Sequence, residues 1–325
     1  MSDARPSPAR PSPEVPRPRK ISAFRRARRF ATYLLIRVFV AGLHAAPLGF
    51  ARWFARRVAL AVHALVARER RRALEHVALA FPDLDVNTRA RIVREAFAQL
   101  GDAAAEIAHV DALRKRFDEV VRFDAASRSA IEGALAEGRG VIVVAGHIGN
   151  WELLGFYLAS RGYPVWTLAR AQADPRLDGW VRRFRESRGV HTILRHEAGA
   201  AKAMLRAFRD GAILGFFLDQ DTDVAGVFVP FFGRDAWTPS GAAVMALRTG
   251  AAVVVATMHR EADHRHALRI ERAHYDASGP RDDAVLRFTA ELTARLESAI
   301  RREPAQWVWM HQRWKRRPPD EARAA

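Results

Sequence analysis

The stretch Val141-Ile142-Val143-Val144-Ala145-Gly146-His147-Ile148-Gly149-Asn150-Trp151-Glu152 decides how this chain folds. It is entered through Gly138 and Gly140 and opens with five apolar residues in a row. An unbroken apolar run of this length, rich in β-branched residues, marks a strand buried on both faces. Similar runs recur at 165–168, 213–218 and 252–258, and helical patterns separate them at 151–160, 176–188, 199–209 and 239–249. Strand and helix alternating at this spacing predict an α/β fold with a mostly parallel central sheet flanked by helices. Further helices are expected at 127–137 and 282–302, and over about 87–110, where Asn87 or Thr88 could cap.

Chemistry in open α/β sheets gathers at the carboxyl ends of the strands, and there His147 and Glu152 stand. An imidazole can act as a general base near neutral pH, and a carboxylate can orient and charge-balance it. Gly149 permits the tight turn that would let the two face each other. No serine or cysteine nucleophile stands beside the histidine, which favours direct attack by an activated substrate hydroxyl. The bland alternative is a loop histidine followed by a carboxylate favoured by the helix dipole.

The rest of the chain sets the context. Its 325 residues carry 53 Lys+Arg against 36 Asp+Glu, a formal net charge of +17, and 49% are apolar, which excludes global disorder. Cysteine is absent, so disulfide scaffolds, thiolate metal sites and cysteine nucleophiles are excluded. Only four basic residues are lysines, a bias that reads first as codon usage. The ends are nevertheless the most basic parts: the first 29 residues hold nine basic and two acidic side chains. Such ends suit an anionic membrane surface, a nucleic acid or an acidic carrier protein.

Residues 1–29 read as a disordered basic arm rich in Pro, Ser and Arg. Residues 30–67 are apolar with sparse arginines and read as a membrane-anchor or interfacial helical segment, kinked near Pro47 and Gly49. If it spans, the preceding arginines place the N-terminus in the cytoplasm. If it lies flat, Trp53, Phe54, Arg56 and Arg57 are the residue types that hold it at the interface. Residues 68–318 form the expected catalytic domain, and 319–325 a tail.

Other residues carry weaker signals. Arg185 and Arg188 are three apart on one predicted helix and could together grip a phosphate. Asp219 and Asp221 at a strand end could orient His147 or the arginines, or bind a metal. Thr238-Pro239-Ser240-Gly241 reads as a helix start, whose amides could receive a phosphate. His264 and His266 read as exposed. The aromatic and basic segment 307–315 suits packing at a membrane interface better than base stacking.

Taken in order, these motifs resemble the glycerolipid and lipid A acyltransferases. Their His-x-x-x-x-Asp/Glu motif after a buried strand matches His147 to Glu152, in the Glu form used by the late (lauroyl and myristoyl) acyltransferases of lipid A. The stretch from Asp174 to Gly189 is similar to that family's arginine-bearing helix, with Arg185 as the matching arginine, or Arg188 if the register shifts. Asp219-Gln220-Asp221, Phe231-Phe232-Gly233 with 236–241 and Gly250-Ala251, and Trp309-Met310-His311-Gln312-Arg313-Trp314-Lys315 match further motifs in sequence. The resemblance covers residues 30–318.

It implies a glycerolipid acyltransferase-like fold with an N-terminal membrane-anchor helix. It also implies a fatty-acyl thioester donor, on acyl carrier protein or coenzyme A, and a membrane glycolipid acceptor such as a lipid A precursor. The expected catalytic residues are His147 and Glu152, and the expected substrate-binding residues are Asn150, Arg185, Arg188, Asp219 and Asp221, with no metal and no cofactor. An apolar tunnel beside His147, drawing on Leu154, Phe156, Phe216 or Phe217, would measure the acyl chain. The expected location is the inner membrane, with the catalytic domain facing the cytoplasm. Rival readings are an enzyme acylating a lysophospholipid, a glycosylated phosphoinositide or an amino-acid lipid; a catalytically silent membrane scaffold; and a nucleic-acid-binding protein. Nucleic acid is not an expected partner, because basic residues avoid the aromatic strand positions that make stacking platforms.

Overall fold

A computed structural model describes residues 22–318; the tail and residues 1–21 of the basic arm lie outside the described residues. From its start the chain is helical, with α1 (Ala23–Ala45), α2 (Leu48–Leu65), α3 (Ala67–Ala80) and α4 (Val86–Ala108), then the short α5 (Val110–Arg114) and α6 (Phe117–Val120). Strand and helix then alternate through β1 (Val121–Phe123), α7 (Ala125–Ala136), β2 (Val141–Gly149), α8 (Trp151–Ser160), β3 (Val165–Ala169), α9 (Pro175–Glu186), β4 (Val190–Leu194), α10 (Ala200–Arg209) and β5 (Ile213–Phe217). A hairpin of β6 (Gly226–Phe231) and β7 (Arg234–Pro239) leads into α11 (Gly241–Thr249), β8 (Ala252–Arg260), β9 (His266–Ala273) and α12 (Arg281–Arg302).

The seven-stranded sheet runs in the order β1-β9-β8-β2-β5-β3-β4. β8, β2, β5, β3 and β4 are mutually parallel, as the recurring apolar runs predict. β9 pairs antiparallel with β8, and β1 follows it in parallel, so two reversed strands close one side. β2 lies in the middle, and the alternation of its side chains divides the core. Val141 and Val143 pack with Leu153, Phe156 and Tyr157 of α8, while Ile142 and Val144 pack with Ala242 and Ala246 of α11 and Leu292 of α12. Each valine, leucine, isoleucine or phenylalanine among them, taken fully out of water, contributes about 1.5–3 kcal/mol. Both faces are therefore covered, and the strand ends are where a site can open.

The N-terminal region differs from the expected anchor. The basic arm ends earlier than 29, because α1 already begins at Ala23, where the Ser22 side chain accepts from the Arg25 amide. Pro47, which cannot continue a helix, splits the 30–67 segment into α1 and α2. Among the described residues no helix is long and apolar enough to cross a membrane. Instead α2 lies along α4 at very close approach: a Cβ at Gly101 would sit 2.5 Å from the Ala55 carbonyl oxygen. Arg52 and Arg56 reach across this seam to Glu106 (3.2 Å) and Asp102 (2.8 Å).

Two further expectations change. Trp307, Trp309 and Trp314 are buried among Phe231, Phe232 and Ile300 and do not face a membrane interface. His264 is exposed as read, but His266 opens β9 and is buried, its Nε2 3.3 Å from Glu106 Oε2. Strand alternation turns it inward, which a polar-loop reading of its neighbours cannot reveal.

Candidate active site

β2 runs two residues past its apolar core and reaches His147 through an irregularity. Ala145 pairs with Ala256 and Gly149 with Met258, so four steps on β2 match two on β8. The extra residues bulge outward, as bulges beside functional sites do, and re-aim the histidine. Gly149 closes the bulge at φ +57°, and a Cβ there would lie 1.9 Å from the Met258 carbonyl oxygen. Only glycine fits. On the other side the bulge is held by the C-terminal segment, where Val308 N–H donates to the His147 carbonyl (3.3 Å) and Ile148 bridges to Trp307.

The carboxylate on His147 is Asp219. Its Oδ1 lies 2.9 Å from His147 Nδ1, and its Oδ2 accepts from the His147 backbone N–H (2.6 Å) and from Trp307 Nε1–H (2.8 Å). Asp219 is fully buried, which opposes its charge, but His147 and these donors hold its carboxyl far below the usual carboxylate range. An ionised carboxylate only accepts, so His147 Nδ1 carries the proton and Nε2 is the free basic nitrogen.

Around the pair stand His311, edge-on to His147 at 4.7 Å between ring centroids, Phe217 at 4.7 Å and Trp151 at 5.0 Å. Gln220 places its amide nitrogen 2.9 Å from the His311 ring nitrogens and within 3.3 Å of those of His147. Burial pushes His311 down to about 3, so it is neutral across the physiological range. The ligand atoms of His147, Asp219 and His311 fall within 4.8 Å of one another, a spacing that would suit a metal ion. In the protein alone the Asp219 oxygens accept from three donors, and the Gln220 amide nitrogen stands against both rings.

Glu152 faces elsewhere. It forms a two-pronged pair with Arg185 of α9, whose Nε lies 3.0 Å from Glu152 Oε2 and whose Nη2 meets Oε1. Burial disfavours the Arg185 charge, yet Glu152 more than offsets it and holds the guanidinium above its usual range. Of the two arginines read as a phosphate grip, Arg188 instead turns to Asp111 (2.5 Å).

Asn150 is buried; its side chain caps α8 by accepting from Leu153 N–H (3.2 Å) and donates to Glu106 Oε2 (2.8 Å). Asp221 accepts from the Arg316 backbone N–H (2.7 Å) and ties down the C-terminal segment. Ser240 makes no side-chain cap to α11; Thr238 Oγ1 instead receives the buried Arg313 guanidinium at 2.7 Å. Among the named residues, the structure thus brings His147 to Asp219 and Glu152 to Arg185, and leaves Asn150, Arg188 and Asp221 in other contacts. His311, Gln220 and Trp307 were not singled out as site residues by sequence reasoning, although His311 and Gln220 sit inside quoted motifs.

A cavity of about 610 Å³ opens beside this cluster. His147, Glu152 and Arg185 line it together with Leu154, Phe216 and Phe217, which were expected there. Phe156 is not in its wall; it is buried against Phe184. The arrangement offers a histidine with one free basic nitrogen, held by a buried anion, at one end of an apolar space. That is equipment for deprotonating a hydroxyl beside an aliphatic chain.

Sequence comparison agrees with this chemistry. The mycobacterial phosphatidylinositol mannoside acyltransferase of Mycolicibacterium smegmatis is 28% identical over 59% of this chain and 62% of its own length. The lipid A biosynthesis palmitoleoyltransferase of Escherichia coli K12 is 27% identical over 77% of this chain and 80% of its own. The lauroyltransferase of the same organism is 26% identical over 78% and 82%. The family model for bacterial lipid A biosynthesis acyltransferases matches residues 18–316. That match spans the whole sheet and both charged pairs, and by it the chain belongs to the bacterial lipid A biosynthesis acyltransferase family.

Proposed function

We propose that the protein is an O-acyltransferase that moves a fatty acyl group from a thioester, on acyl carrier protein or coenzyme A, to a hydroxyl of a lipid A precursor. The observation that carries this reading is the His147–Asp219 pair at one end of the apolar cavity. His147 Nε2 takes the proton of the acceptor hydroxyl as its oxygen attacks the thioester carbonyl. The tetrahedral intermediate then collapses, expelling the thiolate, which recovers a proton from the imidazolium. Asp219 holds the ring in the required tautomer and balances the imidazolium. The orienting role that spacing suggested for Glu152 falls to Asp219, and Glu152 acts through Arg185, whose charge faces the cavity where an oxyanion develops.

The protein would work at the inner membrane from its cytoplasmic side. Trp53 and Phe54 of α2 and Leu35 and Val38 of α1 are exposed, and arginines surround them, a surface that suits an anionic bilayer without spanning it. The similarity to a phosphatidylinositol mannoside acyltransferase supports a second acceptor, a glycosylated phosphoinositide, with the same chemistry.

The test is a lipid mass spectrum of a Gram-negative host that lacks its own late acyltransferases. Expression of the wild type should yield a lipid A species heavier by one acyl group, and His147→Ala should not. A shift in another lipid class replaces the acceptor. An equal lipid A shift with a well-folded His147→Ala protein refutes the mechanism.

A further inference from the structure

The two arginines that could have gripped a phosphate are neutralised inside the protein, Arg185 by Glu152 and Arg188 by Asp111. Two others are not. Arg170 follows the last residue of β3 and Arg195 the last residue of β4, and these strands pair in register up to Ala169 and Leu194. The Arg195 backbone N–H donates to the Ala169 carbonyl (3.1 Å), which sets the two side chains beside each other. Both line the cavity that His147 lines. Among the described residues, neither guanidinium makes a hydrogen bond or an ion pair, and Arg195 Nε is buried with no partner.

We propose that Arg170 and Arg195 form a binding site for a phosphate group carried by one of the two substrates. This rests on the acyl-transfer reading above. Two adjacent guanidiniums without a counterion repel each other, and a phosphate between them relieves that repulsion while accepting forked hydrogen bonds. Burial, and then the charge of Arg170, hold the Arg195 guanidinium below its usual range, as a cation lacking its anion should be. The acid whose field opposes this is Asp223, which is fully exposed and pairs with Arg316 at 3.2 Å.

Position agrees with a substrate role. In the order β2-β5-β3-β4, Arg170 and Arg195 stand two and three strands from His147, at the same carboxyl end of the sheet. At a strand spacing of about 4.8 Å the separation is roughly 10–14 Å. A phosphate that far from the reacting centre is held at the other end of a flexible arm, as in a phosphopantetheine thioester, or on a remote position of a phosphorylated glycolipid.

The experiment compares wild type, Arg170→Gln/Arg195→Gln and, as a charge control, Arg209→Gln, all as the full chain in detergent. Calorimetry with 4′-phosphopantetheine and with pantetheine measures binding directly. Acyl transfer is then followed with phosphorylated and dephosphorylated forms of each substrate. If the donor is gripped, the double variant loses about tenfold in affinity for 4′-phosphopantetheine and in KM for acyl-phosphopantetheine, with acyl-pantetheine unchanged. If the acceptor is gripped, the same tenfold appears only in the KM of the phosphorylated glycolipid. Either result supports the site, and Arg209→Gln should follow the wild type in both. Loss of 4′-phosphopantetheine binding in a chain whose wild type transfers no acyl group supports the site and removes the acyl-transfer reading. Intact transfer in the double variant, with binding and every KM within twofold of wild type, overturns the proposal.

Discussion

Replacing Asp219 by Asn keeps the shape of the site and removes one charge. In the wild type one carboxylate oxygen receives the His147 and Trp307 N–H groups at 2.6 and 2.8 Å, and the other receives His147 Nδ1 at 2.9 Å. The Asn oxygen can keep the first two donors only if its amide nitrogen turns to His147 Nδ1. That nitrogen must then accept, the ring proton moves to Nε2, and the free basic nitrogen is lost. The opposite flip sets an NH2 against two N–H donors in a buried place, which is worse. A wrong tautomer costs on the order of 10²–10⁴ in kcat, the range of general-base catalysis and of disrupted carboxylate–histidine pairs. Turning charge-assisted bonds into neutral ones costs about 1–3 kcal/mol of stability, a Tm lower by roughly 1.5–4.5 °C for a chain of this size. Trp307→Phe is the comparison, because it removes one donor and leaves the tautomer alone; its kcat should fall less than about tenfold. The assay is transfer of labelled acyl groups from a defined thioester to purified acceptor, with thermal unfolding measured alongside. An Asp219→Asn protein that is folded and turns over within threefold of wild type would refute the assignment.

Three further outcomes follow from the same geometry. Arg185→Gln leaves Glu152 without its partner and should lower kcat by roughly 10- to 1,000-fold while Tm moves little, read in the same assay. Glu106→Gln strands Arg260 and His266 in a buried place and should cost about 3–5 kcal/mol in denaturant unfolding; a matching loss from Arg260→Gln alone would confirm that the pair is one unit. His259 is buried and held down to about 4, so between pH 6.5 and about 4 the unfolded chain binds a proton that the folded one refuses. Stability should therefore fall on acidification through that window, by up to about 1.4 kcal/mol per pH unit, and His259→Phe should flatten the slope; His311 adds to it in the wild type.

How far the sequence could be read depends on where the information lies. β2 and β8 are buried on both faces and β3 and β5 are buried or half-buried throughout, so their continuous apolar runs stand out, and α8 was legible to the residue. β4 and β9 carry alternating polar residues, and the β6–β7 hairpin is short, so none of them offered a run to find. Asp219 was read as able to orient His147, but beside other uses, while the partner role went to Glu152; spacing could not choose between them. Glu152 is five residues away and Asp219 seventy-two, and only the parallel pairing of β2 with β5 brings the distant one closer. The Glu152–Arg185 pair joins two elements whose contact no spacing predicts. In the N-terminal region the kink read at Pro47 is a full break between α1 and α2, and the packing of α2 on α4 was not legible in composition.

The close seam between α2 and α4 has a practical consequence for anyone wishing to trim the chain. Glu106, on α4, holds together four groups: Arg52 of α2, Arg260 of β8, His266 of β9 and the Asn150 that caps the motif helix. Cutting away α1 and α2 to obtain a more soluble enzyme would take Arg52 and Arg56 with it. Asp102 and Glu106 would be left facing water with Ala105 and Gly101, a bare strip shaped to receive another helix. The N-terminal helix α2 thus serves also as a wall of the α/β unit. A shortened protein is expected to aggregate through that strip before it shows any defect in chemistry.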